Sequence, residues 1–317
     1  MAISKYLRGA GSPRSSRVQQ FAWRVAALVL SAGWWLVGRL SPDRASAWGA
    51  AAFRSIGPHL YKMPNVRRNL ALAFPERSPA AIEELARDVW ANFGAVFAEF
   101  AHFETLCGPE ADAYIEFVAK GEIRALTERA RPAIFVAAHL ANFNLAAFAA
   151  GRMLGEPLTV VYASEPNPWV DRAIAARRER LGCRLVPRER SLRQLMRELD
   201  AGRSLGFVAD TRNEEGEMLP FFGIEAATSV IPARLAVRYG CELIPARVER
   251  LGGARFRFTL YDPIAPEDPN ADEREQARSM TRALLGHFEG WIRERPGDWW
   301  CTSRRWPKDA RPAASRS

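Results

Sequence analysis

The stretch "VAAHLANFN", residues 136–144, ends a short apolar run on His139 and places Asn144 five positions later. A histidine at such a point can serve as a general base near neutral pH. The chemistry that suits it is removal of a proton from a hydroxyl that attacks an activated acyl group. An imidazole does this best with a partner that fixes its tautomer and stabilises the imidazolium. A residue five positions on, in the first turn of a following helix, can reach back to the ring. Here that residue is an amide, not a carboxylate. Taken alone, His139 reads either as such a base or as a histidine buried in an ordinary core. His59, His102 and His287 read as incidental.

The elements that must position His139 follow from the pattern around it. "AIFVAA" (133–138), "LTVVYA" (158–163), "SLGFVAD" (204–210), "CELIPARVER" (241–250) and "RFRFTLYD" (255–262) read as strands. Helical stretches at 143–154, 168–181, 191–201 and 229–239 separate them, and another at about 270–295 closes the chain. Alternation of strand and helix predicts an α/β fold with a largely parallel sheet. In such sheets, sites form beyond the carboxyl ends of strands, and His139 stands just past one. Upstream, a helix is expected near 44–57. A second is expected from Pro79 to about Phe103, with Ser78 as its N-cap. Its apolar stripe of Ile82, Leu85, Val89, Phe93 and Val96 or Phe97 predicts packing. No internal repeat and no phosphate-binding glycine loop is present.

Charge is unevenly spread. The 317 residues carry a net +9, yet residues 1–77 alone hold two lysines and ten arginines against Asp43 and Glu76. The rest of the chain is close to neutral. A basic segment suits nucleic acid or an anionic membrane surface, and its neighbours favour the membrane. "FAWRVAALVLSAGWWLVGRL" (21–40) is rich in Ala, Val, Leu and Trp, and no nucleic-acid module accompanies it. The uncharged run between Arg24 and Arg39 is shorter than the ~20 residues of a spanning helix. An interfacial or hairpin-like anchor, a true span with snorkelling arginines, and a soluble helix all remain open. Cys107, Cys183, Cys241 and Cys301 are scattered, with no CxxC pair. They read as reduced thiols in a cytosol-facing domain, and no metal site is expected.

Five blocks of the chain together resemble a known family. "AAHLANFNLAA" is similar to the H-x-x-x-x-D/E block of glycerolipid-type acyltransferases. It is closest to the "HxGNWE" version in the lauroyl and myristoyl transferases that act late in lipid A biosynthesis. "VRRNLALAFPERS" (66–78), "RRERLGCRLVP" (177–187), "ADTRNEEGEMLPFFGIEAATS" (209–229) and "PGDWWCTSRRW" (296–306) resemble that family's other blocks in order. The resemblance covers about residues 20–307. It implies the α/β acyltransferase fold with an N-terminal membrane-associating helix, divided as a basic segment 1–45, a catalytic domain 46–307 and a disordered tail 308–317. It implies an acyl donor carried on acyl carrier protein, or on coenzyme A, and no retained cofactor. The acceptor would be a hydroxyl on a membrane glycolipid such as a lipid A precursor. The place would be the cytosolic face of a bacterial inner membrane.

The resemblance also assigns roles, and departures from it raise questions. His139 would be the base. Asn144 stands where the family has its acid; its carbonyl can orient the ring but cannot balance an imidazolium, which leaves open an acyltransferase with a different hydroxyl acceptor or a non-catalytic lipid-binding relative. In a serine-protease triad, Asn in place of the carboxylate lowers turnover by about 10⁴. Asp210, at another strand end, is the best substitute for the missing charge, and Glu165 is second. Arg178 reads as a phosphate contact or a solvated helix residue. Arg212 lines the acceptor site or pairs with Asp210. Asn142 touches substrate or bonds backbone at the helix start. Phe221, Phe222 and Gly223 contact acyl chain or membrane, or belong to the core, and Thr228 falls in the same block. Trp299, Trp300, Arg304, Arg305 and Trp306 read as packing or membrane contact. Ser303 and Ala163 replace a His and an Arg that the family often carries.

Overall fold

A computed structural model describes residues 17–120, 132–187 and 191–312. Of the tail expected to be disordered, 308–317, residues 313–317 lie outside the described residues, as do residues 1–16. Nine strands are described: β1 (Ile115–Ala119), β2 (Ala133–Ala137), β3 (Thr159–Tyr162), β4 (Arg184–Pro187), β5 (Leu205–Val208), β6 (Glu217–Phe221), β7 (Ile224–Thr228), β8 (Glu242–Gly252) and β9 (Arg255–Leu260). Seven form one sheet in the order β1-β9-β8-β2-β5-β3-β4, parallel at every pairing except β8 with β9. The expected α/β class and largely parallel sheet are what the chain adopts.

β2 shows why its sequence is continuously apolar. It lies inside the sheet, and all five of its residues are buried. Ile134 and Val136 face one core, while Ala133 and Phe135 face a second core across the sheet. Of the longer helices, α1 (Arg17–Val37), α5 (Leu145–Leu154) and α6 (Pro168–Arg178) close the second core. The first is closed by α3 (Met63–Ala73), α4 (Pro79–Glu99), α7 (Ser191–Asp200), α8 (Ile231–Tyr239) and α9 (Glu273–Glu294). Strands buried on both faces lose the alternating pattern and read as apolar runs.

α4 begins as expected: the Ser78 hydroxyl accepts from Ala81 N at 3.3 Å, with Pro79 next. It packs very closely on α2 (Pro42–Ile56). A methyl group built on Gly94 would collide with the carbonyl oxygen of Gly49 and with Phe53 Cβ. That approach brings Ser46 of α2 within reach of Glu99 of α4, a contact that matters below.

α1 is the one described helix long and apolar enough to cross a membrane. It buries only Leu30 and Trp34. Trp34 Nε1 donates to the carbonyl of Phe97 at 2.8 Å and its ring stacks on Phe100. Near the other end, Asn167 Nδ2 donates to the carbonyl of Trp23 at 3.0 Å. Trp34 is thus a protein contact, while Trp35 is 60% exposed. Phe21, Leu28, Val29 and Leu36 extend that exposed apolar face.

Some elements were not anticipated. β1 and β4 are short edge strands with mixed burial, so their sequences carry little periodicity. α3 falls in the "VRRNLALA" block, whose arginines mask its buried stripe of Val66, Leu70 and Ala73. β6 and β7 form a hairpin around Phe222-Gly223. Both of those residues have positive φ, 53° and 71°. Replacing Gly94 by Ala is expected to lower unfolding free energy by about 1–3 kcal/mol, the usual cost of overpacking, measured by urea denaturation.

Candidate functional site

Pairing in the sheet sets the site. In the parallel β2–β5 ladder, Ala137 lies opposite Val208. One more bond, Ala209 N to Ala137 O at 3.1 Å, carries the register past the strand ends. His139 and Asp210, each two residues beyond its strand, therefore emerge side by side. His139 Nδ1 lies 2.5 Å from Asp210 Oδ1. The same oxygen accepts from His139 N at 3.0 Å, and Oδ2 accepts from Trp299 Nε1 at 2.9 Å. A carboxylate accepting from Nδ1 requires the proton there, which leaves Nε2 as the basic atom.

Asp210 is 2% exposed. Burial alone would raise its pKa. The charge of His139, hydrogen bonds from its ring and backbone, and that from Trp299 outweigh burial and hold the pKa below the ordinary carboxylate range. His139 keeps 16% of its side chain exposed, toward a cavity of about 1290 Å³. Phe143 presents its ring to the imidazole at 4.5 Å between centroids, in an edge-on arrangement.

The cavity gathers several of the expected residues. Asn144, Glu165, Arg178, Arg212, Arg304 and Arg305 line it together with His139 and Asp210. Apolar walls come from Trp34, Phe97, Phe100, Phe135, Leu158 and Ile174. Arg178 is half-buried, and desolvation lowers its pKa from the usual value, opposed by Glu165. Arg212 pairs with Glu214 at 2.8 Å, not with Asp210.

Other expectations are corrected. Asn144 does not orient the His139 ring; that position is taken by Asp210, and Asn144 Nδ2 donates to Asn142 Oδ1 at 3.2 Å. Asn142 is fully buried and donates to Glu99 Oε2 at 2.8 Å, so it neither lines the cavity nor caps the helix with its side chain. Phe221, Phe222 and Gly223 form the hairpin turn beneath the C-terminal tryptophans: Phe221 stacks on Trp306 and Phe222 on Trp299. Their rings are spent on packing. Thr228 is buried, and its hydroxyl accepts from Arg305 at 2.6 Å. Arg305, 2% exposed, also donates to the carbonyl of Ala227, and desolvation lowers its pKa to about 10.

Sequence reasoning missed the supports of the His139 loop. Trp300 N donates to the carbonyl of His139 at 2.8 Å, and Ala141 N to that of Asp298 at 3.0 Å. Asn92 Nδ2 bonds the carbonyls of Asp298, at 3.0 Å, and Ala141, at 3.4 Å. Ala141 has φ of 46°, a left-handed conformation unfavourable to a side chain. The resemblance held one clue, because the family's "HxGNWE" has Gly where this chain has Ala141. Among the described residues no cluster of His, Cys, Asp or Glu fits a metal ion.

Residues 13–308 match the sequence model of a family described as bacterial lipid A biosynthesis acyltransferase. A comparison with curated proteins finds no match.

Two outcomes are expected. Ala141→Gly should raise unfolding free energy by about 1 kcal/mol, by relieving the left-handed backbone, read by denaturant titration. Asp210 has its pKa depressed on folding. Its stabilisation is therefore complete above the ordinary carboxylate pKa of ~3.9 and is lost as pH falls through the lower folded value. Below about pH 4 the stability of the wild type should fall more steeply with acid than that of Asp210→Asn, whose residue 210 cannot titrate.

Proposed function

Because the chain belongs to the bacterial lipid A biosynthesis acyltransferase family, we propose that it moves a fatty acyl chain from a carrier thioester to a hydroxyl of a lipid A precursor, with His139 as general base. The observation that carries this reading is the His139–Asp210 pair, 2.5 Å apart at one side of a large, partly apolar cavity.

In the proposed step, His139 Nε2 takes the proton of the acceptor hydroxyl as its oxygen attacks the thioester carbonyl carbon. Asp210 holds the proton of Nδ1 and balances the charge of the imidazolium. The tetrahedral intermediate collapses with cleavage of the carbon–sulfur bond. The imidazolium returns its proton to the departing thiolate, so an ester and a thiol are formed and no cofactor is consumed. The apolar walls suit the acyl chain. Arg178, Arg212 and Arg304 suit phosphate or sugar groups of the substrates. Acyl carrier protein is our choice of donor, with coenzyme A as the alternative carrier.

We place the reaction at the cytoplasmic face of the bacterial inner membrane. The support is the exposed apolar face of α1, with Arg17, Arg24 and Arg39 on it or at its end. Such a face suits an anionic lipid surface. A different hydroxyl acceptor is the second reading, favoured by the amide at position 144, since an altered site fits an altered substrate. Lipid mass spectrometry of a deletion strain separates the two acceptors.

The central test is transfer from acyl carrier protein to a lipid A precursor. His139→Ala should abolish it, and equal turnover would remove His139 as base. Asp210→Asn should lower kcat by about 10³–10⁴-fold, because it disturbs the tautomer and removes the counter-charge.

A further inference from the structure

Beneath the His139 loop lies a line of buried polar groups that the proposed chemistry does not use. Glu99 of α4 is completely buried. Its Oε1 accepts from Ser46 Oγ at 2.6 Å and from Arg250 Nη1 of β8, and Arg250 Nη2 reaches Oε2 at 3.3 Å. Arg250 also donates to the carbonyl of Gly253 at 2.7 Å and to Asn92 Oδ1 at 3.2 Å. The line continues from Glu99 Oε2 to Asn142 Nδ2, and from Asn142 Oδ1 to Asn144 Nδ2. It ends at the cavity, because Asn144 lines it.

The direction of this line is not arbitrary. A carboxylate paired with a guanidinium is an acceptor only. It forces Asn142 to present its NH₂ group, which leaves Asn142 Oδ1 to face Asn144. Asn144 must then answer with its own NH₂ group. Its carbonyl oxygen is the group left over. The choice of amide orientation, ordinarily ambiguous, is here set by the charged end of the chain.

We propose that Glu99 is a positioning residue that acts through Asn142 to hold Asn144 with its carbonyl oxygen toward the cavity, where that oxygen accepts a hydrogen bond from the acceptor hydroxyl beside His139. The carboxylate that the motif carries at position 144 is, in this chain, divided between two places. Asp210 supplies the partner of His139, and Glu99 supplies the charge that orients residue 144. The inference rests on the proposed role of His139.

It predicts that restoring the acid does harm. In Asn144→Asp, two acceptors face each other. Either the introduced carboxylate meets Asn142 Oδ1 or, after an amide flip, Asn142 Oδ1 meets Glu99. In Glu99→Gln the line can reverse: the introduced amide donates to Asn142 Oδ1, Asn142 donates to Asn144, and Asn144 turns its NH₂ group to the cavity. In the double variant Glu99→Gln/Asn144→Asp, the bonds linking positions 99, 142 and 144 are made again with reversed polarity, and only the long Arg250 Nη2 contact is lost. The carbonyl of the introduced amide at position 99 still accepts from Ser46 and Arg250, and net charge is unchanged.

The experiment is a double-mutant cycle with two readouts, acyl transfer and thermal unfolding without substrate. Asn144→Asp should lower kcat/KM about tenfold and lower Tm, consistent with one unsatisfied buried hydrogen bond. Glu99→Gln should raise KM more than it lowers kcat. The double variant should exceed Asn144→Asp in both kcat/KM and Tm. Asn144→Ala, which leaves Glu99 and Arg250 in place, should lower kcat/KM about tenfold and lower Tm less than Asn144→Asp does, because Asn142 Oδ1 loses its donor but meets no second acceptor. Turnover of Asn144→Asp at or above wild type overturns the proposal, as do single effects that simply multiply in the double variant. If Glu99→Gln does not fold, the two variants at position 144 still decide. Failure of the function reading is separate: it shows as equal activity of His139→Ala and wild type, while the Tm cycle reports on the line without any substrate.

Discussion

Asp210 is a carboxylate sealed from water, and the site is arranged around keeping it charged. An isolated carboxylate moved to such a place would simply take up a proton. Three donors prevent this: His139 Nδ1, His139 N and Trp299 Nε1. Each comes from a different structural commitment. The imidazole depends on the β2–β5 register, the amide on the turn after β2, and the indole on the C-terminal segment folding back beneath the loop. Removing any one leaves an underpaired buried charge, which is costly compared with an exposed ion pair. The carboxylate therefore ties the chemistry to the closure of the fold. The C-terminal block "PGDWWCTSRRW" belongs to the site through Trp299 and Trp300, although it contributes no base or acid.

A second buried charge organises the other side of the same loop. Glu99 and Arg250 join α2, α4 and the end of β8 and bond Asn142 from below. Between these two anchored carboxylates, the loop from His139 to Asn144 has little freedom, and Ala141 is held in a left-handed conformation that it would not choose alone. Strain of this kind persists where the surroundings over-determine the backbone. Here the surroundings are Asp298 and Asn92, which bond Ala141 at its N–H and carbonyl.

How much of this was legible depends on the range of each interaction. The apolar runs of β2, β5 and β8 and the capped start of α4 are local signals, and they led directly to the α/β class. Asp210 was reachable because a strand end is a place that topology makes functional. Glu99 was not, because a lone glutamate within an apolar stripe carries no mark of a partner 151 positions away at Arg250. The places of Phe221, Phe222 and Thr228 were not legible for a related reason. A "PFFG" turn looks the same whether its rings meet lipid or the tryptophans of a distant segment, and only the hairpin's position decides. Edge strands β1 and β4 were hidden because half-buried edges lack the periodicity that reveals inner strands.

The exposed face of α1 and the cavity belong to one argument. Trp34 sits at the meeting point: its ring stacks on Phe100 and lines the cavity, while its neighbour Trp35 faces outward. The helix is thus fastened to the domain at Trp23 and Trp34 and leaves its apolar residues on the opposite side. These two contacts hold the helix along the domain. Its arginines and exposed aromatic residues fit a helix lying along the lipid surface. In the proposed membrane posture, the wall of the cavity and the surface offered to lipid would be two sides of one element. An acyl chain or glycolipid entering from the lipid would then meet the apolar wall before it reached His139.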